Sequence, residues 1–194
     1  MSEVGRIGRR EVHDGRIVKL SVDRVRFPDG SEGDLEFIRH PGASAILPFL
    51  DDPRGDDPKV LLLRQYRYAA GGELWELPAG LPDGEGESWR ACAVRELEEE
   101  TGYRARELRY LTRIYTTPGF TDEVIHLFAA AGLEPGETGR DEDEFIEVVP
   151  LRLSQVWTMV REGTIIDAKS LSALLFWRAF GLEAWAAEVP APPR

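Results

Sequence analysis

Three carboxylates at helical spacing carry the strongest chemical signal in the chain. Glu96, Glu99 and Glu100 stand at i, i+3 and i+4 in the run Arg95-Glu96-Leu97-Glu98-Glu99-Glu100. At about 100° per residue they share an arc of about 100° on one helix face. Left alone, such a face repels itself, each like-charged pair costing about 0.2–0.5 kcal/mol. The carboxylates also sit in the last turn, where the helix dipole is already negative. Arg95, four residues before Glu99, offsets part of this. A divalent cation offsets far more, and an all-oxygen set of ligands suits Mg2+ or Mn2+. The plainer alternative is a solvated glutamate-rich helix end, which is what charge runs usually are.

The neighbouring residues are those that would position such a helix. Ser88 has the character of an N-cap, and the glycine-rich stretch Gly80–Gly86 before it reads as a loop. Gly102 stands where a helix-ending glycine is expected. Val94 and Leu97, with Ala93, point away from the acid arc and are expected to face a core. Cys92, the only cysteine, is expected to be a small packing residue, since a hard cation prefers oxygen.

The stretch resembles the signature of the Nudix hydrolases: a glycine, a short loop, a Glu, seven residues, then Arg-Glu-aliphatic-x-Glu-Glu-x-Gly-aliphatic. The matching positions are Gly80, Glu87, Arg95, Glu96, Leu97, Glu99, Glu100, Gly102 and Tyr103. Six residues instead of the usual five separate Gly80 from Glu87, and Tyr103 replaces an aliphatic residue. The extra residue falls in the loop, so the spacing of the three glutamates is untouched. The resemblance implies that Glu96, Glu99, Glu100 and the Ala79 carbonyl hold Mg2+, with Mn2+ as a substitute. It also suggests Leu81 as a pocket residue, with a plain loop anchor the alternative. Glu76 is either a ribose contact, a residue behind the ligands, or a solvated strand carboxylate.

Upstream, Val12 to Arg39 reads as short strands, with alternation from Ile17 to Phe27, a turn at Pro28-Asp29-Gly30-Ser31, and a return at Leu35–Ile38. So small a sheet must pack on something. The resemblance suggests that residues 1–40 form a dimerisation element ahead of a hydrolase domain at 41–194. Ala43–Leu50 and Val60–Arg67 read as buried strands flanking the turn-rich Asp51–Lys59. Arg67 closes a run, Arg64-Gln65-Tyr66-Arg67, that resembles the segment by which ADP-ribose pyrophosphatases reach a substrate phosphate; a solvated strand end is the alternative. An arginine fork suits such a contact.

Downstream, strands are expected at Leu108–Tyr115 and Val124–Ala130, and a mobile loop at Leu133–Asp143. Composition makes Pro118-Gly119 a turn and nothing more. The run Pro118-Gly119-Phe120-Thr121-Asp122-Glu123, however, resembles one found in Nudix enzymes acting on ADP-ribose, which would turn Phe120 and Glu123 toward the ligand. Similar enzymes place a glutamate just before the following strand to activate water. Glu144 is the first choice here and Glu142 the second; a solvated acidic loop is the alternative. Two helices should close the chain, one capped by Ser154 and ending near Gly163, the other running from Asp167 to Phe180 and stopped by Gly181. The tail Pro190–Arg194 is expected to be disordered.

At 194 residues the chain can bury one sizeable core. No apolar run is long enough to span a bilayer, and the N-terminus lacks a signal-peptide core. A single cysteine fits a cytoplasmic protein. A net charge of −11 argues against a nucleic-acid surface and requires that a phosphate substrate be met by metal and placed arginines. The expected fold is α/β, a Nudix-type α/β/α sandwich with a mixed, curled sheet and a small N-terminal antiparallel sheet. The resemblance implies Mg2+-dependent hydrolysis of the ADP-ribose pyrophosphate to AMP and ribose 5-phosphate, by a homodimer. In that reaction Glu99 belongs to the catalytic set and Glu144 directs water in line at phosphorus. The alternatives are another nucleotide sugar such as GDP-mannose, or a non-catalytic sensor of an ADP-ribose-like ligand. The intact glutamates and the absence of room for a basic domain disfavour the sensor.

Overall fold

Alternate residues of one strand face two different cores. In β4 (Ala43–Pro48), Ala43, Ala45 and Leu47 pack in one apolar cluster and Ile46 in another. β9 (Val124–Pro135) behaves the same way: Ile125, Leu127 and Ala129 go to the first cluster, Phe128 and Ala130 to the second. This is the period of two expected of a strand buried on both faces. Helix α1 (Trp89–Thr101) covers one face through Trp89, Ala93 and Leu97. Helices α2 (Leu153–Arg161) and α3 (Ala168–Ala187) cover the other through Val156, Ala173, Leu174 and Trp177. The computed structural model describes residues 4–84, 86–139, 145–187 and 191–192.

The chain clusters into two units, Met1–Gly42 with Tyr115–Val124, and Ala43–Ile114 with Ile125–Arg194. The second holds the sandwich. Its strands are β4, β5 (Lys59–Arg67), β6 (Gly72–Glu76), β7 (Ala79–Gly80), β8 (Tyr103–Tyr115), β9 and β10 (Ile146–Arg152), in two sheets ordered β10-β5-β6 and β7-β4-β9-β8. This is the expected α/β sandwich, its strands divided between two sheets that meet at the Phe49–Val60 bridge. β4 and β9 pair in parallel.

The first unit carries β1 (Gly5–Asp14), β2 (Lys19–Arg26) and β3 (Glu32–Arg39) in an antiparallel sheet ordered β1-β2-β3. β1 was not expected from sequence as far back as Gly5. It is exposed nearly throughout, so no apolar alternation marks it. Backbone pairing with β2 holds it, with a bidentate Arg9 to Asp23 ion pair at 2.6–2.7 Å between register partners. The Arg9 hydrogen bonds, helped by Ser21 and against the pull of burial, hold the Asp23 carboxyl down to about 2. Residues Thr116–Glu123 are pinned on the same unit by Ile38 N–H donating to Phe120 O (2.8 Å) and His40 N–H to Asp122 Oδ1 (2.8 Å).

Other expectations are corrected. β9 runs on to Pro135, so Leu133–Pro135, expected in a mobile loop, are strand. Ser154 does not cap α2. Arg152 stands at that position with Gln155 closing onto its N–H, while Ser154 donates through N and Oγ to Asp57. Gly181 does not stop α3, which continues to Ala187. The Trp177 ring lies where a Cβ of Gly181 would be, 2.3 Å away, so this glycine serves packing and not termination. Val94 is exposed, because the core arc of α1 runs through Trp89, Ala93 and Leu97 and leaves Val94 about 100° round the helix from Ala93. The tail residues 188–190 and 193–194 lie outside the described residues. Among the described residues no helix is long and apolar enough to cross a membrane.

His126 of β9 is 3% exposed, stacked on Trp89 at 4.2 Å, and its Nδ1 has no partner among the described residues. Burial, with the nearby Arg113 charge, lowers its pKa from 6.5 to about 4. The unfolded chain therefore takes up this proton first as pH falls. Stability from this group is complete above pH 6.5 and is lost down to about pH 4, a total of about 3 kcal/mol. Urea unfolding in EDTA should show this slope between pH 6.5 and 5, and His126→Gln should flatten it.

Candidate functional site

The acid helix begins and ends on the residues its sequence nominates. Ser88 Oγ accepts from the Ala91 N–H, and Gly102 takes a left-handed φ of 74° while its N–H donates to Glu98 O. These caps fix the helix phase, and hence which carboxylates face the loop at Ala79–Gly80. That loop lies directly against them. A Cβ on Gly80 would sit 2.2 Å from the Glu96 carboxyl carbon, so only glycine lets the backbone come this close. Ala79 N–H donates to Glu100 Oε2 at 2.8 Å, and Glu100 is 3% exposed. Cys92 is buried, with its sulfur 3.5 Å from Gly80 O. Burial pushes its thiol up to about 11, so it stays protonated and packs.

Arg95 is tied more widely than its place before the glutamates suggests. Its Nε and Nη2 hold Glu87 (3.0 and 2.9 Å), and its Nη1 lies 2.8 Å from both Glu96 and Glu99. Nη2 also donates to Leu81 O at 2.7 Å. One guanidinium thus links the loop to the acid face, and its carboxylate partners, Glu87 first, raise its own pKa further. With Glu96 and Glu99 drawn to Arg95 and Glu100 to Ala79, no metal-sized group of three such side chains converges among the described residues. The donor set still fits a hard divalent cation: carboxylates at i, i+3 and i+4, with a glycine-lined backbone against them. Glu96 and Glu99 would exchange Arg95 for the metal by side-chain rotation.

Gly80→Ala is expected to leave the fold intact, because the displaced atoms end a flexible side chain. It should lower kcat/KM about 10–100-fold at limiting metal by pushing Glu96 aside. Thermal melting beside metal-titrated kinetics checks both halves.

A second cluster lies at the ends of β5 and β6. Glu76 is 2% exposed. Arg67 Nε and Nη2 each donate to it at 2.9 Å, and Lys169 Nζ lies 2.5 Å from Oε2. Burial pushes the Glu76 carboxyl up, but the Arg67 bonds and the Lys169 charge outweigh it and hold it below its ordinary value. Both oxygens of Glu76 are thereby engaged, and its burial rules out the solvated strand carboxylate. The charge of Glu100 also acts on Arg67, which ties this cluster to the acid helix.

Leu81 is 43% exposed beside Gly80. Phe120 (49% exposed) and Glu123 belong to the other unit, where Glu123 accepts from Thr116 Oγ1 at 2.6 Å and lies 3.5 Å from His40 Nε2. Glu142 and Glu144 lie outside the described residues. The chain leading to them is anchored: Gly139 N–H donates to Glu99 O at 3.1 Å. Sequence reasoning missed Lys169, Asp167 and Ser170. Their partners Glu76 and Leu77 are far away in sequence, and no local spacing signals them.

The NUDIX domain family model matches residues 39–174. The methanol dehydrogenase activator of Bacillus methanolicus is 39% identical over 86% of this chain and 88% of its own length. Two proteins named ADP-ribose pyrophosphatase also match. That of Bacillus subtilis is 37% identical over 88% of this chain and 90% of its own length, and that of Mycobacterium tuberculosis 42% over 87% and 80%. The crystal structure of an ADP compounds hydrolase superposes with a TM-score of 0.80 over 97% of this chain and 98% of that one, at 23% identity, a likeness of fold. With its glutamate helix, glycine-lined loop and sandwich, the chain belongs to the Nudix hydrolase family.

Proposed function

We propose that this enzyme hydrolyses the pyrophosphate of ADP-ribose to AMP and ribose 5-phosphate, using Mg2+, with Mn2+ as a substitute. The observation that carries the reading is the Arg67 fork. Its Nε–Nη2 edge is fixed on buried Glu76, its side chain is 41% exposed and feels the charge of Glu100, and among the described residues Nη1 has no partner, which suits it to a phosphate. Two relatives named for this activity over most of their length support the choice of substrate.

Glu96, Glu99, Glu100 and the Ala79 carbonyl would hold the metal, which when bound supplies charge to neutralise the pyrophosphate and acidifies water. Arg67 binds a phosphate and steadies the charge that develops on it. Glu144, with Glu142 as the second choice, takes the proton from the attacking water. Leu81 lines the pocket, and Phe120 and Glu123 contact the ligand. Residues 1–40 serve a cytoplasmic homodimer, and 41–194 form the hydrolase domain. The partner is a small molecule, with no nucleic acid or membrane.

The test is a panel of nucleotide sugars compared by kcat/KM. ADP-ribose should lead. A larger value for GDP-mannose would keep the chemistry and replace the substrate. Binding without turnover across the panel, in either metal, would favour a sensor.

A further inference from the structure

We propose that Lys169 is a positioning residue for phosphate binding, acting through Glu76 on Arg67; this rests on the reading of Arg67 given above. Lys169 sits in the first turn of α3, with a side chain only 11% exposed. A lysine this enclosed is unusual, since its ammonium is strongly hydrated and burial must be repaid by partners. Two carboxylates repay it, Glu76 Oε2 at 2.5 Å and Asp167 Oδ2 at 3.1 Å. Asp167 Oδ2 is itself fixed by the Ser170 N–H (2.9 Å) and Oγ (2.6 Å), and Ser170 Oγ accepts the Leu77 N–H at 2.8 Å.

The start of α3 therefore holds both Glu76 by its side chain and Leu77 by its backbone. These are the residues that lead through Pro78 into the Ala79–Gly80 loop. The geometry has a consequence for Arg67. Two cations, Arg67 and Lys169, share one buried carboxylate, and a second carboxylate, Asp167, balances the group. Glu76 Oε2 is divided between Nζ and the Arg67 Nη2, so Lys169 limits how far Glu76 can be drawn toward Arg67. Without Lys169, the Glu76 and Asp167 carboxylates would keep Arg67 as the remaining cation of the described cluster. The guanidinium would then be pulled inward as their counter-charge, and its Nη1 edge would turn from a phosphate.

A double-mutant cycle on the full-length protein tests this, read as KM and kcat for ADP-ribose with Mg2+ and as Kd for ADP by calorimetry. Lys169→Met keeps the aliphatic stem and removes the charge. It should raise KM and Kd about tenfold while changing kcat less than about threefold, a loss in binding and not in the chemical step. Lys169→Arg should stay within about threefold of wild type on all three. In the Arg67→Ala background the added effect of Lys169→Met should fall below about twofold.

An unchanged KM and Kd in Lys169→Met, or an equal increase with and without Arg67, would overturn the proposal and leave Lys169 a stability residue. If Lys169→Met does not fold, Lys169→Arg carries the test alone, and a KM or Kd raised tenfold or more there would overturn it. Wild type that binds ADP but does not cleave ADP-ribose would refute the substrate reading instead, and the cycle would still be decided on Kd.

Discussion

Replacing Glu99 or Glu100 by Gln should cost about a thousandfold or more in kcat, equivalent to about 4 kcal/mol of barrier. The change is one atom in size and removes one negative charge. Glu100 is the sharper case. It is 3% exposed and its Oε2 accepts the Ala79 N–H at 2.8 Å, so a glutamine oxygen can keep that bond. The fold should survive, and what is lost is the anion that a divalent cation needs. Glu99 is more open, at 38% side-chain exposure, and is held at 2.8 Å by Arg95. Its replacement should disturb the apo protein still less while removing a ligand. Single-turnover kinetics with melting curves separate the two effects. Near-normal turnover in a folded variant would remove that glutamate from the site.

Arg95→Met should lower the metal-free stability by about 2–3 kcal/mol, and a saturating divalent cation should restore much of it. The guanidinium faces Glu87, Glu96 and Glu99 at once, with Leu81 O as a fourth partner. Removing it leaves three carboxylates together at the C-terminal half of a helix and the loop, with the dipole adding to the repulsion. Guanidinium and metal are alternative sources of positive charge for Glu96 and Glu99. The melting temperature of the variant should therefore respond more strongly to Mg2+ than that of wild type. Because the loop loses its Leu81 anchor, kcat/KM should also fall about 10–100-fold. An equal metal response in the two proteins would show that Arg95 does not occupy the charge role assigned to it.

The local part of this site was legible in the sequence because its signals are local. Ser88 and Gly102 cap one helix as their residue types permit, and the three glutamates lie on that helix. The closeness of Gly80 to Glu96 adds a reason for that glycine that spacing alone does not give. Features that depend on distant partners were not legible. Lys169 looks like any lysine at a helix start until β6 brings Glu76 to it. β1 carries no apolar pattern because it is held by pairing and by the Arg9–Asp23 ion pair. Gly181 reads as a stop signal because glycine usually is one late in a helix. Only the Trp177 ring packed over it explains why α3 continues. Val94 was assigned by angle to a broad apolar face, but the arc centred on Ala93 and Leu97 excludes it.

The most direct test of the central claim is to incubate the purified protein with ADP-ribose, with and without Mg2+, and to separate the products by chromatography. The account predicts AMP and ribose 5-phosphate in equal amounts, appearing only with the metal. Intact ADP-ribose in Mg2+ and in Mn2+, from protein shown by melting to be folded, would contradict it.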